Sequence, residues 1–173
     1  ASTLFNGHSY YQAAASYDES LNFFGIDKLS NNKVALPNKS QLFASSGLMT
    51  RENKNFFICF KIPKFKFRPS QCDALHVDLW FKGDNVLRDG GTFSYNTTTD
   101  DLDYYSGVES HNTVQFDNHL QMPRLSRFLF ASWLKPLTIK YRKNTLSSSY
   151  KDEWKCQHSR AIKVQKQQIV VTD

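Results

Sequence analysis

The stretch ESHNTVQFDNHLQM, from Glu109 to Met122, gathers side chains that move protons or hold metals. His111, Asp117 and His119 lie among the amides of Asn112, Gln115, Asn118 and Gln121, around a short apolar alternation of Val114 and Phe116. Upstream, His76 and Asp78 have the spacing that puts two side chains on one face of a strand, and Asp89 opens a glycine-rich turn with Gly90 and Gly91. A zinc site draws about three His, Cys or carboxylate ligands from separate elements. Spacing along a β-protein does not report convergence, so the same residues also read as a solvent-facing polar surface.

A second chemistry is electrostatic. Lys61, Lys64, Lys66 and Arg68 alternate with Ile62, Phe65 and Phe67 in KIPKFKFR. On an extended chain the cations would line one face and the apolar groups the other, with a phase shift at Pro63. Such a stripe suits a linear polyanion, and equally an edge strand that uses Lys and Pro to block pairing. The formal net charge of +6 has the same two readings, a polyanion partner or an ordinary solvated surface. No RNP-type aromatic and basic motif supports a nucleic-acid partner.

These residues need elements to hold them. The chain of 173 residues is long enough for one domain, and at 40% hydrophobic it can bury a core. Residues 9–24 (SYYQAAASYDESLNFF) are good helix formers with Gly25 as a stop, and predict one helix. Residues 29–46 turn polar and read as a linker. Beyond them the period becomes two. Strands are expected over 57–62, 75–80, 92–95, 112–117, 127–133, 137–142, 153–165 and 167–171, and turns at 82–85, 89–91, 97–101 and 117–118. Many short strands with no alternating helices predict an all-β antiparallel sandwich over 47–173, with a helix only near the N-terminus.

Several chemistries have no support. There is no G-x-S-x-G, P-loop, H-E-x-x-H or dinucleotide fingerprint. Cys59, Cys72 and Cys156 are odd in number and widely spaced, as ordinary thiols are. No apolar run reaches bilayer length. The opening residues ASTLFNGHSYY show no basic segment followed by a long apolar one, so they leave the location unread.

Ordered motifs carry the reading further. Arg68 to Asn96 (RPSQCDALHVDLWFKGDNVLRDGGTFSYN) contains Asp73, then Asp78-Leu79-Trp80, Lys82-Gly83, and Asp89-x-Gly91-Thr92-x-x-Tyr95. His111-Asn112-Thr113, Asp117-x-x-x-Gln121, Arg127-Phe128-Leu129, Trp133, His158-x-Arg160 and Val170 to Asp173 follow in order. Together they resemble the heparinase II/III-like polysaccharide lyases over most of 55–173. The resemblance implies an α/α-toroid followed by a β-sandwich, with a substrate groove between them. Residues 1–28 then look like the tail of the toroid, and the chain like a fragment whose sandwich is cut short at its C-terminal side.

The implied activity is β-elimination on a uronic-acid-containing polysaccharide. A base removes the proton beside the carboxylate, a Tyr protonates the leaving oxygen, and Asn or His groups offset the developing charge. In the family the Asn and Tyr lie on the helical half. The sandwich contributes an H-x-H-x-D run and a structural zinc held by the second His of that run, an Asp and a later His. Here the run aligns with Pro69 to Asp73 and both histidines are missing. Asp89 and His111 match two ligands, and Gln71 stands in the third place, where an amide oxygen is a weak zinc ligand. A hydrogen bond between Asp89 and His111 is the metal-free use of the pair. His76 as substitute ligand has the wrong strand parity relative to Gln71 and Asp73.

By the same resemblance His111 turns toward Asp89, while Asn112 and Gln121 face backbone or sugar. Asn112 and Gln121 are the expected polar substrate contacts, beside Lys61, Lys64, Lys66 and Arg68. Tyr95 and His76 are the titratable candidates for catalysis at the groove, and neither has a visible partner. Two classes of function follow: the β-domain of an acidic-polysaccharide lyase, inactive as a fragment, or a non-catalytic domain that binds or shapes a capsule or exopolysaccharide. The implied partners are an acidic polysaccharide and a helical domain of the same parent. The implied location is periplasmic or otherwise extracytoplasmic in a bacterium.

Overall fold

The structure is a computed structural model, and it describes residues 40–166 and 168–173. The expected N-terminal helix and most of the expected linker lie outside these residues. Within them, β1 (Leu42–Phe43), β2 (Leu48–Glu52), β3 (Phe56–Lys61), β4 (Val77–Phe81) and β5 (Asp84–Leu87) form one antiparallel sheet in sequence order. A second antiparallel sheet runs β11 (Ile169–Thr172), β10 (Gln157–Val164), β9 (Thr145–Lys151), β8 (Pro136–Arg142). A small ribbon pairs β6 (Arg124–Ser126) with β7 (Leu129–Phe130). Among the described residues the first strand, β1, falls within the segment read as a linker.

Alternation explains the core. On β3, Phe56, Ile58 and Phe60 are buried while Phe57, Cys59 and Lys61 are less so, which is the period of a half-buried strand. On β10, His158, Arg160 and Ile162 point inward. Met49, Ile58, Phe60, Val77, Leu146, Tyr150 and Ile162 join both sheets in one hydrophobic cluster. The sheets are also stitched at the rim. The Tyr141 hydroxyl donates to the Thr50 carbonyl (3.2 Å), and the Arg51 guanidinium lies 4.7 Å from the Tyr141 ring centroid.

Several expected elements are absent or displaced. Segments 92–95 and 112–117 are irregular. Phe93 and Asp117 take positive φ values of 60° and 46°, which break an extended run. Strand β9 is not among the expected strands, and its Ser147-Ser148-Ser149 run shows no apolar alternation. Its serines are internally satisfied: Ser148 Oγ donates to the Thr138 carbonyl (2.8 Å), and Ser149 Oγ meets Thr138 Oγ1 (2.7 Å). Helix α1 (Thr99–Ser106) occupies the expected turn at 97–101. Thr98 caps it by accepting the Asp101 N–H, and Asp100 and Asp101 suit the positive end of its dipole.

Pro63 ends the extended run after β3, and the basic segment 64–70 is a loop rather than a strand. Gly47 holds that loop in place. Its φ is +67°, its carbonyl accepts the Ile62 N–H (2.7 Å), and an added Cβ would sit 2.8 Å from the Ile62 oxygen and 2.9 Å from the Lys64 oxygen. Gly47→Ala is therefore expected to lower stability by about 1–3 kcal/mol, read as a lower urea midpoint with unchanged slope.

Candidate metal and binding centre

Three elements converge at one end of the first sheet. His76 immediately precedes β4, Asp89 follows β5, and His111 lies in the irregular segment before 112–117. Asp89 Oδ1 is 3.2 Å from His111 Nδ1, and Asp89 Oδ2 is 3.4 Å from His76 Nε2. The two rings meet edge to face, with centroids 5.6 Å apart. Both rings are buried.

The local chain explains the approach. Gly90 donates its N–H to the Ser110 carbonyl (2.9 Å), and a Cβ on Gly90 would lie 2.7 Å from Ser110 Cβ. Only glycine lets these two backbones close, and their closure brings Asp89 to His111. Asp89 Oδ1 also accepts the Gly91 N–H (2.6 Å), which orients the carboxylate. On the other side the parity argument against His76 fails for a stated reason. Residues 71–76 are not extended: Leu75 has φ 60°, and His76 donates its N–H to the Asp73 carbonyl (3.1 Å). That turn rotates His76 toward Asp89.

Gln71 goes elsewhere. Its amide nitrogen donates to the Gly91 carbonyl (2.7 Å) and to Thr92 Oγ1 (3.3 Å), so it braces the glycine turn instead of facing the cluster. The expected polar substrate contacts are likewise committed to the fold. Gln121 is 4% exposed; its oxygen accepts the Ala74 N–H (2.9 Å) and its nitrogen donates to the Ala74 carbonyl (3.2 Å). Asn112 donates its amide to the Val77 and Arg88 carbonyls (3.2 and 2.8 Å). A single strand pattern cannot show this, because an amide that satisfies a bulged backbone and one that faces a sugar have the same spacing.

The electrostatics follow from burial and contact. The adjoining His111 ring, aided by the Gly91 N–H and His76, holds the Asp89 carboxyl well below the usual carboxylate range, against the opposing effect of burial. Burial lowers the His76 pKa, and Asp89 only partly opposes it. His76 Nδ1 accepts the Asn112 N–H (3.0 Å), so the neutral ring carries its proton on Nε2, facing Asp89.

The donor set of two imidazoles and a carboxylate suits zinc, and their ligand atoms lie within 4.8 Å of one another. His76 Nε2 and both ring nitrogens of His111 are buried without a hydrogen-bond partner, the 3.2 Å contact to Asp89 being poorly aligned for one. Orphaned imidazole nitrogens around a carboxylate fit a cation. The fit has one cost. A metal on His76 Nε2 moves the ring proton to Nδ1, where it would oppose the Asn112 N–H.

Neither catalytic candidate has the surroundings its role needs. His76 is buried against Asp89 and Asn112. Tyr95 is 77% exposed, its ring lies beside Phe128, and among the described residues its hydroxyl has no hydrogen-bond partner. Lys61 is paired with the buried Asp73 and is not a free cation. Lys64, Lys66 and Arg68 are exposed, and with Ser45, Phe67 and Gln71 they line an open depression of about 380 Å³.

Arg160 stands in the sequence only as part of the His158-x-Arg160 motif, yet it holds the centre together. Its guanidinium donates to the Leu75 carbonyl (2.7 Å), the Asn112 carbonyl and both Asp173 carboxylate oxygens. His158 Nε2 shares Asp173 Oδ1 (2.6 Å). Burial lowers the His158 pKa from 6.5, and Asp173 only partly restores it. The unfolded chain then binds a proton at His158 that the folded chain resists. Stability from this residue is complete above about pH 6.5 and falls as pH drops toward the depressed folded value. Urea midpoints measured between about pH 7.5 and 5 should decline on acidification, and His158→Gln should flatten that decline.

The comparisons agree with this architecture. A family profile described as Heparinase II/III-like, C-terminal, matches residues 35–173. Among solved structures, a heparinase III with methylated lysines matches at TM-score 0.56 and 16% identity, over 85% of this chain and 24% of its own. A heparan sulfate lyase, HepC from Pedobacter heparinus, matches at TM-score 0.52 and 18% identity, over 85% of this chain and 24% of its own. The chain therefore spans about a quarter of the length of these solved structures. No curated protein sequence matches it. With its family profile covering both sheets and the His76–Asp89–His111 centre, the chain belongs to the heparinase II/III-like family, as a C-terminal β-sandwich domain of that family.

Proposed function

We propose that this chain is the β-domain of a polysaccharide lyase that cleaves a uronic-acid-containing acidic polysaccharide by β-elimination. The observation that carries the reading is the family match across 35–173, beside an exposed basic loop at Lys64, Lys66 and Arg68. In this reading the loop holds the polyanion through charge, and Phe67 offers an exposed apolar face beside it. Proton abstraction and leaving-group protonation need groups within hydrogen-bond reach of one sugar. Tyr95 and His76 do not make such a pair, so those groups come from the helical domain that the resemblance implies. Its place would be periplasmic or otherwise extracytoplasmic.

A second reading, a polysaccharide-binding domain without catalysis, is favoured by one specific observation: the position of the first His of the H-x-H-x-D run is held by buried Pro69. Two assays separate the consequences. The chain should be retained on immobilised heparin, and Lys64→Ala/Lys66→Ala/Arg68→Ala should elute at lower salt. Unchanged elution would remove the basic loop from the account. Ultraviolet absorbance of unsaturated uronate should stay at baseline for this chain on heparin, heparan sulfate, alginate and hyaluronan. Sustained product that Tyr95→Phe abolishes would make the chain a lyase by itself.

We also propose that Asp89, His111 and His76 hold a structural zinc. Zinc would bind to both histidines as neutral imidazoles and tie the glycine turn to the segment before β4. Stoichiometric zinc after exhaustive dialysis, lost in His111→Ala together with a drop in melting temperature, is the expected result. A metal-free protein indifferent to chelator would reduce the cluster to hydrogen bonding.

A further inference from the structure

A second group of ligand-type side chains shares no residue with the His76–Asp89–His111 centre. His119, Asp152 and Cys156 offer one ligand atom each, all within 4.8 Å of one another. Asp152 and Cys156 close the turn between β9 and β10. The Asp152 N–H donates to the Cys156 carbonyl (3.0 Å), and the Cys156 N–H donates to Asp152 Oδ1 (2.9 Å). Lys155, at φ 73°, makes the reversal. The second carboxylate oxygen is therefore free to face outward from the turn, and it meets His119 Nε2 at 3.2 Å. The Asp152 side chain is 1% exposed and that of His119 is 22% exposed, so one side of the cluster remains open to a small ion. The His119 ring is held between aromatic neighbours. Trp154 lies at 4.4 Å and Phe116 at 6.5 Å between centroids. The nearby Glu153 is turned away onto Ser132.

From this geometry we propose that His119, Asp152 and Cys156 form a second metal site, taking a divalent transition ion of the zinc class. Bond lengths of about 2.0–2.3 Å around a tetrahedral ion put neighbouring ligand atoms roughly 3.3–3.6 Å apart, close to the His119–Asp152 separation. A set of imidazole, carboxylate and thiolate is a zinc-type set, and too soft for magnesium or calcium. Binding is a balanced exchange. The ion forms a bond to Cys156 Sγ, the thiol proton leaves to solvent, and the two negative ligands offset the two positive charges. The His76–Asp89–His111 centre contains no sulfur, so the two sites differ in spectrum.

Cobalt(II) titration of the reduced full chain tests the site. The expected result is a near-ultraviolet thiolate-to-cobalt charge-transfer band, saturating at one equivalent in His111→Ala, where the other centre is disabled. The band should persist in His111→Ala and in Cys59→Ser, and vanish in Cys156→Ser. His119→Ala should weaken cobalt binding by about tenfold or more, since losing even an outer-shell partner of a ligand costs that much. Zinc should also slow alkylation of Cys156 in the unmutated chain, which needs no variant to fold. Absence of the band, its survival in Cys156→Ser, or alkylation indifferent to zinc would overturn the proposal and leave His119–Asp152 as a hydrogen-bonded clip on the turn.

Discussion

The guanidinium of Arg160 sets the arrangement of the centre. It is a buried cation, and burying a cation is costly unless every donor finds an acceptor. Here it finds Asp173 on one side and the carbonyls of Leu75 and Asn112 on the other. Those carbonyls belong to the residue before His76 and the residue after His111. One side chain of the second sheet thus fixes the backbone beside both histidines. Burial pulls the Asp173 pKa upward, but the hydrogen bonds from Arg160 and His158 outweigh it, and the carboxyl sits below its ordinary value. The strand period of β10 makes this possible, because it turns His158, Arg160 and Ile162 to one face.

With the backbone held, the side chains sort into those that serve the fold and those left for a ligand. Gln121, Asn112 and Gln71 satisfy backbone groups around the irregular segments near the centre. These segments lack strand partners, so their N–H and carbonyl groups need side-chain amides. The histidines are different. His76 Nε2 and both nitrogens of His111 stay unpaired around a carboxylate, which is a costly arrangement unless a proton or a cation occupies it. The basic loop is different again, being exposed and built on a close glycine contact.

Much of this was legible in the sequence, for reasons that can be named. The alternation in Phe56 to Lys61 and the order of the motifs indicate an antiparallel sandwich of this family, and the resemblance pairs Asp89 with His111, which lie 3.2 Å apart. The misreadings share a cause. Parity works only where the chain is extended, and Leu75, Phe93 and Asp117 take left-handed conformations that no local pattern announces. His76 was discounted on parity, and 92–95 and 112–117 were read as strands. The strand carrying Ser147 to Ser149 has no apolar alternation to announce it, since its serines pair with the carbonyl and hydroxyl of Thr138 on the neighbouring strand. Helix α1 starts inside the segment read as a turn and has little apolar stripe to mark its length.

The account rests on Arg160 locking the ring of His76 between Asn112 and Asp89. Long-range proton–nitrogen NMR of the histidine rings in the metal-free chain tests this most directly. A single fixed tautomer of His76 is predicted, with the proton on Nε2 and Nδ1 accepting the Asn112 N–H, and Arg160→Met should release it into tautomer averaging. A His76 ring that already averages its tautomers in the unmutated chain, or one that stays locked in Arg160→Met, would contradict the account.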